Sequence, residues 1–444
     1  MTPTTAPALG VRPVGPLRGA LRAPASKSVT NRLLVLAALA DGTSTLTAPL
    51  DSDDSRAMRA CVDALGATVT DVRGAGPAAA GPAVGSGGGW QVSGTGGRPR
   101  TPAGPLDARL SGTTARFVSA VLALSARGGV VDGQGPLRRR PIAALVSALR
   151  ALGARATDSD GGLPVAVAGG GLAGGEVEVD VSGSSQFASA VLMVAPYARA
   201  DVACRTRGRA ADDYIALTAA LMEQWGAHVT RAGASWRVRA GAGYHARDVE
   251  VEYDASAAAH LFALGIASGG AVTVTNVAAH SHQPDARLPE VFAAMGCTVT
   301  RDGARVTVAA PPRLAPVDVS LGAMPDMVTT MAVLAALAPG TSVLRDVGVA
   351  RLHETDRLDA LATELGKVGV TVEARPDALV VHGGTASRPA RLDTYDDHRL
   401  AMAFAALGTR IPGIDIADPG CVRKTYPEFW HDAATLGAGL EERQ

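Results

Sequence analysis

The chain has 444 residues, which at roughly 150 per domain allows two or three domains and excludes a single small fold. Lysine plus arginine and aspartate plus glutamate each total 42, so the net charge is zero, and a polyanion held by bulk electrostatics, nucleic acid above all, is not expected as the main partner. Hydrophobic residues make up 47% and charged residues 19%, enough for real cores, while the longest apolar runs, Leu33 to Ala40 and Met331 to Ala338, are about half a bilayer span.

The first twenty residues carry neither a secretory nor an organelle-targeting pattern, so a cytoplasmic protein with no membrane partner is expected. Cys61, Cys204, Cys297 and Cys421 lie far apart, with no CxxC and no histidine at ligand spacing. Neither a metal nor a disulfide framework is expected from them. Arginine outnumbers lysine 39 to 3, which singles out Lys27, Lys367 and Lys424 as places where a compact ammonium matters.

Along the chain, an alanine-rich helical stretch, a turn and a Val/Thr-rich strand recur six times. The turns fall near Gly42, Gly129, Asp201, Gly270, Gly340 and Gly413, at separations of 87, 72, 69, 70 and 73 residues. A second helical pattern ends in a glycine just before a strand, at Gly66, Gly153, Gly226, Gly296 and Gly369, with separations of 87, 73, 70 and 73. Two independent markers therefore give one period. Both lengthen in the first interval, where GAGPAAAGPAVGSGGGW reads as an inserted loop. Six α/β units exceed one core, so they are grouped three and three, with a boundary near Glu252.

Lys27, Gly112, Ser185, Ser256, Asp326 and His398 precede those turns by 15, 17, 16, 14, 14 and 15 residues, so all six stand at predicted helix starts. The surrounding Ser, Thr, Asp and Gly residues suit N-caps, and any one stretch is explained by capping alone. Capping does not explain the cations. Lys27, Arg32, Arg116 and Arg399 lie near helix N-termini, where the macrodipole disfavours positive charge unless an anion compensates. Converging helix starts would make a site for several anions. In RLHETDRL, His353, Glu354, Asp356 and Arg357 form a charged cluster that reads equally as a salt-bridged helix start, and HETDR lacks the spacing of a zinc HExxH.

Taken together, PASKSVTNR (24–32), LDSDDS (50–55), GTTAR (112–116), RRPI (139–142), SSQF (184–187), HETDRL (353–358), DDHRLAM (396–402) and KTYPEF (424–429) give the chain its resemblance to the enolpyruvyl transferases, most closely the 5-enolpyruvylshikimate-3-phosphate synthase family. The resemblance implies an α/β fold of two domains, an inside-out α/β barrel built from six βαβαββ repeats, three per domain. Residues 22–252 would form one domain and 1–21 with 253–444 the other, with the active site in the interdomain cleft.

It also implies transfer of a carboxyvinyl group from phosphoenolpyruvate to the 5-hydroxyl of shikimate 3-phosphate, by a monomer without cofactor or metal. Lys27 would contact both substrates and act in catalysis by shuttling protons, and Gln186 would contact both substrates. Ser28, Arg32, Ser184, Ser185, Tyr214, Asp326 and His353 would bind shikimate 3-phosphate. Gly112, Arg357, Arg399 and Lys424 would bind phosphoenolpyruvate, with Arg138 standing in for an arginine expected at Pro136. Asp326 would be the base for the attacking hydroxyl and Glu354 the acid protonating the methylene carbon. Lys27, Arg32, Arg138, Arg357, Arg399 and Lys424 would set six positive charges against about −5 to −6 from two phosphates and two carboxylates.

Leu110, Phe117, Ala211, Val349 and His353 depart from the commoner residues at their positions. At His353, where lysine is usual, an imidazolium is expected to contact the substrate with added pH sensitivity. Two other readings fit less well. A UDP-N-acetylglucosamine enolpyruvyl transferase would carry Asn after the first lysine and a reactive loop cysteine, whereas Ser28 follows Lys27 and no cysteine lies between 61 and 204. A non-catalytic anion-binding paralogue would have no use for Asp326 and Glu354.

Overall fold

The computed structural model describes residues 7–72, 88–208 and 212–443. Most of the inserted loop, and Ala211, lie outside the described residues. The chain divides into two compact units, residues 25–252 and residues 1–24 with 253–444. Each has its own hydrophobic core. Among the described residues no helix is long and apolar enough to cross a membrane.

The fold is α/β, with six four-stranded mixed sheets, three in each unit. Every sheet has the same plan: an edge strand runs parallel to its neighbour, and the other two pairings are antiparallel. In the second unit two sheets are completed by the chain's beginning. Ala8–Arg12 pairs with both Ile414–Ala417 and Gly439–Arg443, and Arg18–Leu21 runs parallel to Ala271–Val274. Strand alternation is plain in Gly162–Ala168, where Leu163, Val165 and Val167 are buried and Pro164 and Ala166 are exposed.

The helices follow from local chemistry. Ser26 caps Lys27–Leu39, accepting a hydrogen bond from Val29 N at 3.4 Å, and the helix beyond the first turn is buried on all sides. That is why its sequence is an apolar run rather than an amphipathic stripe. Truncating Leu34 to alanine there would cost about 2–5 kcal/mol. The five marker glycines share one helix ending. Gly66, Gly153, Gly226, Gly296 and Gly369 have φ between 93° and 99°, a region open to glycine without a Cβ penalty. In each, the glycine N–H bonds back three residues and the next N–H bonds back five, as in Gly66 N to Asp63 O and Ala67 N to Val62 O. Gly437, which the periodic pattern did not include, makes the same turn with φ 97°.

Candidate active site

All six predicted starts are helix starts. Five open α-helices at or beside the named residue, and Asp326 lies in a 3-10 turn running into Val328–Leu337.

In the unit of residues 25–252, three of these termini and the start of the helix Asp53–Ala64 are linked by polar contacts. Lys27 Nζ lies 3.5 Å from Asp54 Oδ2 in the first turn of Asp53–Ala64. Thr114 Oγ1 donates to Ser111 Oγ at 2.9 Å and approaches the Asp54 carbonyl at 3.4 Å, tying in the helix Gly112–Leu122. Gln186, first residue of Gln186–Val194, donates to Thr113 Oγ1 at 3.2 Å and accepts from Arg116 Nη1 at 2.8 Å. Arg116 also donates to Ser184 Oγ at 3.2 Å. Ser185 is the N-cap of that helix, and its side chain makes no capping bond.

Arg32 is buried between the Phe117 and Tyr214 rings, 5.3 and 6.0 Å from their centres. It donates to Thr218 Oγ1 at 2.8 Å, to the Ser28 carbonyl at 2.9 Å and to the Tyr214 carbonyl at 3.4 Å. Among the described residues these partners are neutral oxygens. Burial lowers its pKa to about 10, so it remains a cation at neutral pH. A buried guanidinium with neutral partners is well suited to an anionic ligand.

Arg138, expected to stand in for an arginine at Pro136, is turned toward a neighbouring carboxylate. Its side chain is 55% exposed and pairs with Asp132 at 2.6 Å. The guanidinium at the Gly112 helix start belongs to Arg140: a Cβ built on Gly112 would sit 2.9 Å from Arg140 Nη1. The short helix Gly135–Arg138 ends just before Arg139, so neighbouring arginines take different directions. RRPI contains Arg140, but three consecutive arginines look alike in sequence.

In the other unit a tighter cluster forms around Arg357, first residue of Arg357–Lys367 and 1% exposed. Its Nε donates to Asp397 Oδ2 at 2.7 Å, and Nη2 donates to Asp397 Oδ1 at 3.2 Å and Glu354 Oε2 at 2.9 Å. Its Nη1 donates to Asp326 Oδ1 at 2.6 Å and faces His353 Nδ1 at 2.9 Å. Arg399 Nη2 lies 3.0 Å from Asp326 Oδ2, and Lys424 Nζ 3.0 Å from Glu354 Oε1. Asp397, fully buried, also caps the helix His398–Gly408 by accepting from Arg399 N at 2.9 Å.

The compensating anions expected for helix-start cations are therefore supplied here by the protein. Three cations meet three carboxylates, so the surplus positive charge counted in sequence does not exist in this cluster. Burial works against the Asp326 anion, but Arg399 and Arg357 outweigh it and hold the carboxyl well below its usual range. Burial lowers the His353 pKa more than Asp326 raises it. Arg357 adds to the lowering, which works against the expected imidazolium in the free protein.

Two sequence candidates prove structural. The start of Ala255–Ser268 is closed by Asp254, which accepts from Ala257 N, by Gln283, which accepts from Ala255 N, and by the Ser256 hydroxyl donating to Asp285. Lys367 pins Glu364 and Asp393 at 2.6 and 3.0 Å, away from the cluster's contacts.

The family described as EPSP synthase (3-phosphoshikimate 1-carboxyvinyltransferase) matches residues 11–433. A 3-phosphoshikimate 1-carboxyvinyltransferase of Methanosphaerula palustris is 38% identical over 429 residues, covering 95% of this chain and 98% of its own. One of Syntrophobacter fumaroxidans is 39% identical over 430 residues, covering 95% and 97%. A solved EPSP synthase structure from Acinetobacter baumannii superposes with a TM-score of 0.81 at 23% identity, over 99% of this chain and all of that one, which extends the likeness to the fold. On sequence and fold together, the chain belongs to the EPSP synthase family.

Proposed function

We propose that the chain transfers the enolpyruvyl group of phosphoenolpyruvate to the 5-hydroxyl of shikimate 3-phosphate, releasing phosphate. The observation that carries this reading is the placement of two carboxylates, Asp326 and Glu354, on one guanidinium flanked by Arg399 and Lys424. A simple anion binder gains nothing from carboxylates that compete for its cations. An enzyme needing a base and an acid beside an anionic substrate does.

The reaction draws on both clusters. Arg32, Ser28, Ser184, Ser185, Gln186 and Tyr214 hold shikimate 3-phosphate, with Asp326 and His353. Arg357, Arg399, Lys424 and Lys27 hold phosphoenolpyruvate, with Gly112, Gln186 and Arg140, the last in place of Arg138. Asp326 takes the proton of the 5-hydroxyl as its oxygen bonds to C2 of phosphoenolpyruvate, and Glu354, protonated once the substrate has displaced it from Arg357 and Lys424, delivers that proton to C3, making a methyl group. Glu354, now a carboxylate, then takes back a methyl proton as the C2–O bond to phosphate breaks and the double bond re-forms. Each positioned proton transfer contributes about 10²- to 10⁴-fold, and the cations stabilise charge on the departing phosphate.

The six sheets of common plan are read as six βαβαββ repeats, three per domain, in an inside-out barrel. The proposal includes a monomeric cytoplasmic enzyme. Phosphate release from phosphoenolpyruvate, with shikimate 3-phosphate or UDP-N-acetylglucosamine as acceptor, tests it: turnover with the first is expected, and turnover only with the second overturns it.

A further inference from the structure

Four of the five N–H donors of Arg357 end on carboxylate oxygens, and the fifth faces His353. An incoming anion finds no spare donor there. To be held by Arg357, it must take over hydrogen bonds that the protein's own carboxylates now occupy. The three carboxylates are not equivalent in this exchange.

Asp326 is 26% exposed and bonded end-on to Arg357, and Glu354, 12% exposed, shares one oxygen with Arg357 and gives the other to Lys424. Either can rotate away from the guanidinium. Asp397 cannot. It grips Arg357 through both Nε and Nη2, and it is the N-cap of the helix that carries Arg399. Turning its side chain away would undo both arrangements at once. The fork geometry of two parallel N–H···O bonds also fixes the plane of the guanidinium, which a single point contact does not.

We infer that Asp397 is the positioning residue of the phosphoenolpyruvate site, holding Arg357 and the Arg399 helix start in place while Asp326 and Glu354 yield their bonds to the substrate anion. The exchange couples binding to chemistry. The base and the acid are occupied in the free protein and are released only where phosphoenolpyruvate has replaced them. Asp397 itself touches neither reacting atom. This inference rests on the reading that Arg357 and Arg399 take phosphoenolpyruvate.

The test is steady-state kinetics of Asp397→Asn, which preserves shape and a capping oxygen but turns an N–H donor toward Arg357. The KM for phosphoenolpyruvate is expected to rise about 10- to 100-fold, the scale of a small misplacement of a binding group. The KM for shikimate 3-phosphate and kcat at saturating phosphoenolpyruvate should change far less. Asp397→Glu, which keeps the buried charge and lengthens the side chain, decides the case if the asparagine variant does not fold. It should show the same selective rise. An unchanged KM for phosphoenolpyruvate in a folded variant, or parallel losses for both substrates, overturns the positioning role. A wild-type chain inactive on the two substrates refutes the functional reading instead.

Discussion

Replacing Glu354 by glutamine separates chemistry from binding in one step. The carboxylate bridges Arg357 Nη2 at 2.9 Å and Lys424 Nζ at 3.0 Å. Glutamine fits the same space and keeps one acceptor oxygen. Arg357 retains Asp397 and Asp326, so the structural loss is limited to about 1–3 kcal/mol, the cost of one imperfectly paired buried group. The catalytic loss is larger. Without an acid to protonate C3, kcat should fall about 10²- to 10⁴-fold, or about 3–5 kcal/mol of barrier. Glu354 also competes with the substrate for two cations, so the KM for phosphoenolpyruvate should hold or fall. The assay is phosphate release at a temperature well below the melting point of the variant, with both substrates titrated. Unchanged kcat would refute the role of Glu354 as acid, and a raised KM with intact kcat would recast it as a binding group.

Arg140→Ala should raise the KM for phosphoenolpyruvate, since its guanidinium lies against Gly112, whereas Arg138→Ala should leave both KM values unchanged because its partner is the surface residue Asp132. Equal effects in the two variants would contradict that assignment. Asp285 provides a pH test: burial raises its pKa from 3.8 to about 6, so its contribution to stability is full below pH 4 and is lost as pH rises through 6. Relative to Asp285→Asn, the wild-type chain should lose about 3 kcal/mol between those limits in thermal melts, because a tenfold change in a proton-binding constant is worth about 1.4 kcal/mol. Parallel melting profiles across that range would show that Asp285 does not titrate as its surroundings require.

Local chemistry was readable from the chain, and spatial pairing was not. Capping residues and left-handed glycines act within four or five residues of themselves, so Ser26, Ser111 and the recurring glycines declared the helix boundaries. Gly437 escaped notice because the strand after it, Gly439–Arg443, reads GLEER and lacks the Val/Thr-rich pattern of the others. Asp397 was legible only as a cap, since nothing in DDHRLAM reveals a guanidinium arriving from forty residues earlier. The choice between Arg138 and Arg140 depends on where a short helix stops. The charge count failed for a related reason: cations stood out in sequence as functional, while the carboxylates neutralising them were assigned to catalysis or to capping. Phe117 is explained by its contact, since its ring packs on Arg32.

Phosphorus NMR of a mixture of the protein, phosphoenolpyruvate and shikimate 3-phosphate tests the central claim most directly. The account predicts one inorganic phosphate for each phosphoenolpyruvate consumed, a shifted 3-phosphate ester whose phosphorus stays attached to the shikimate ring, and no phosphate release when the acceptor is left out. Phosphate arising from the 3-phosphate, or from phosphoenolpyruvate without an acceptor, would contradict it.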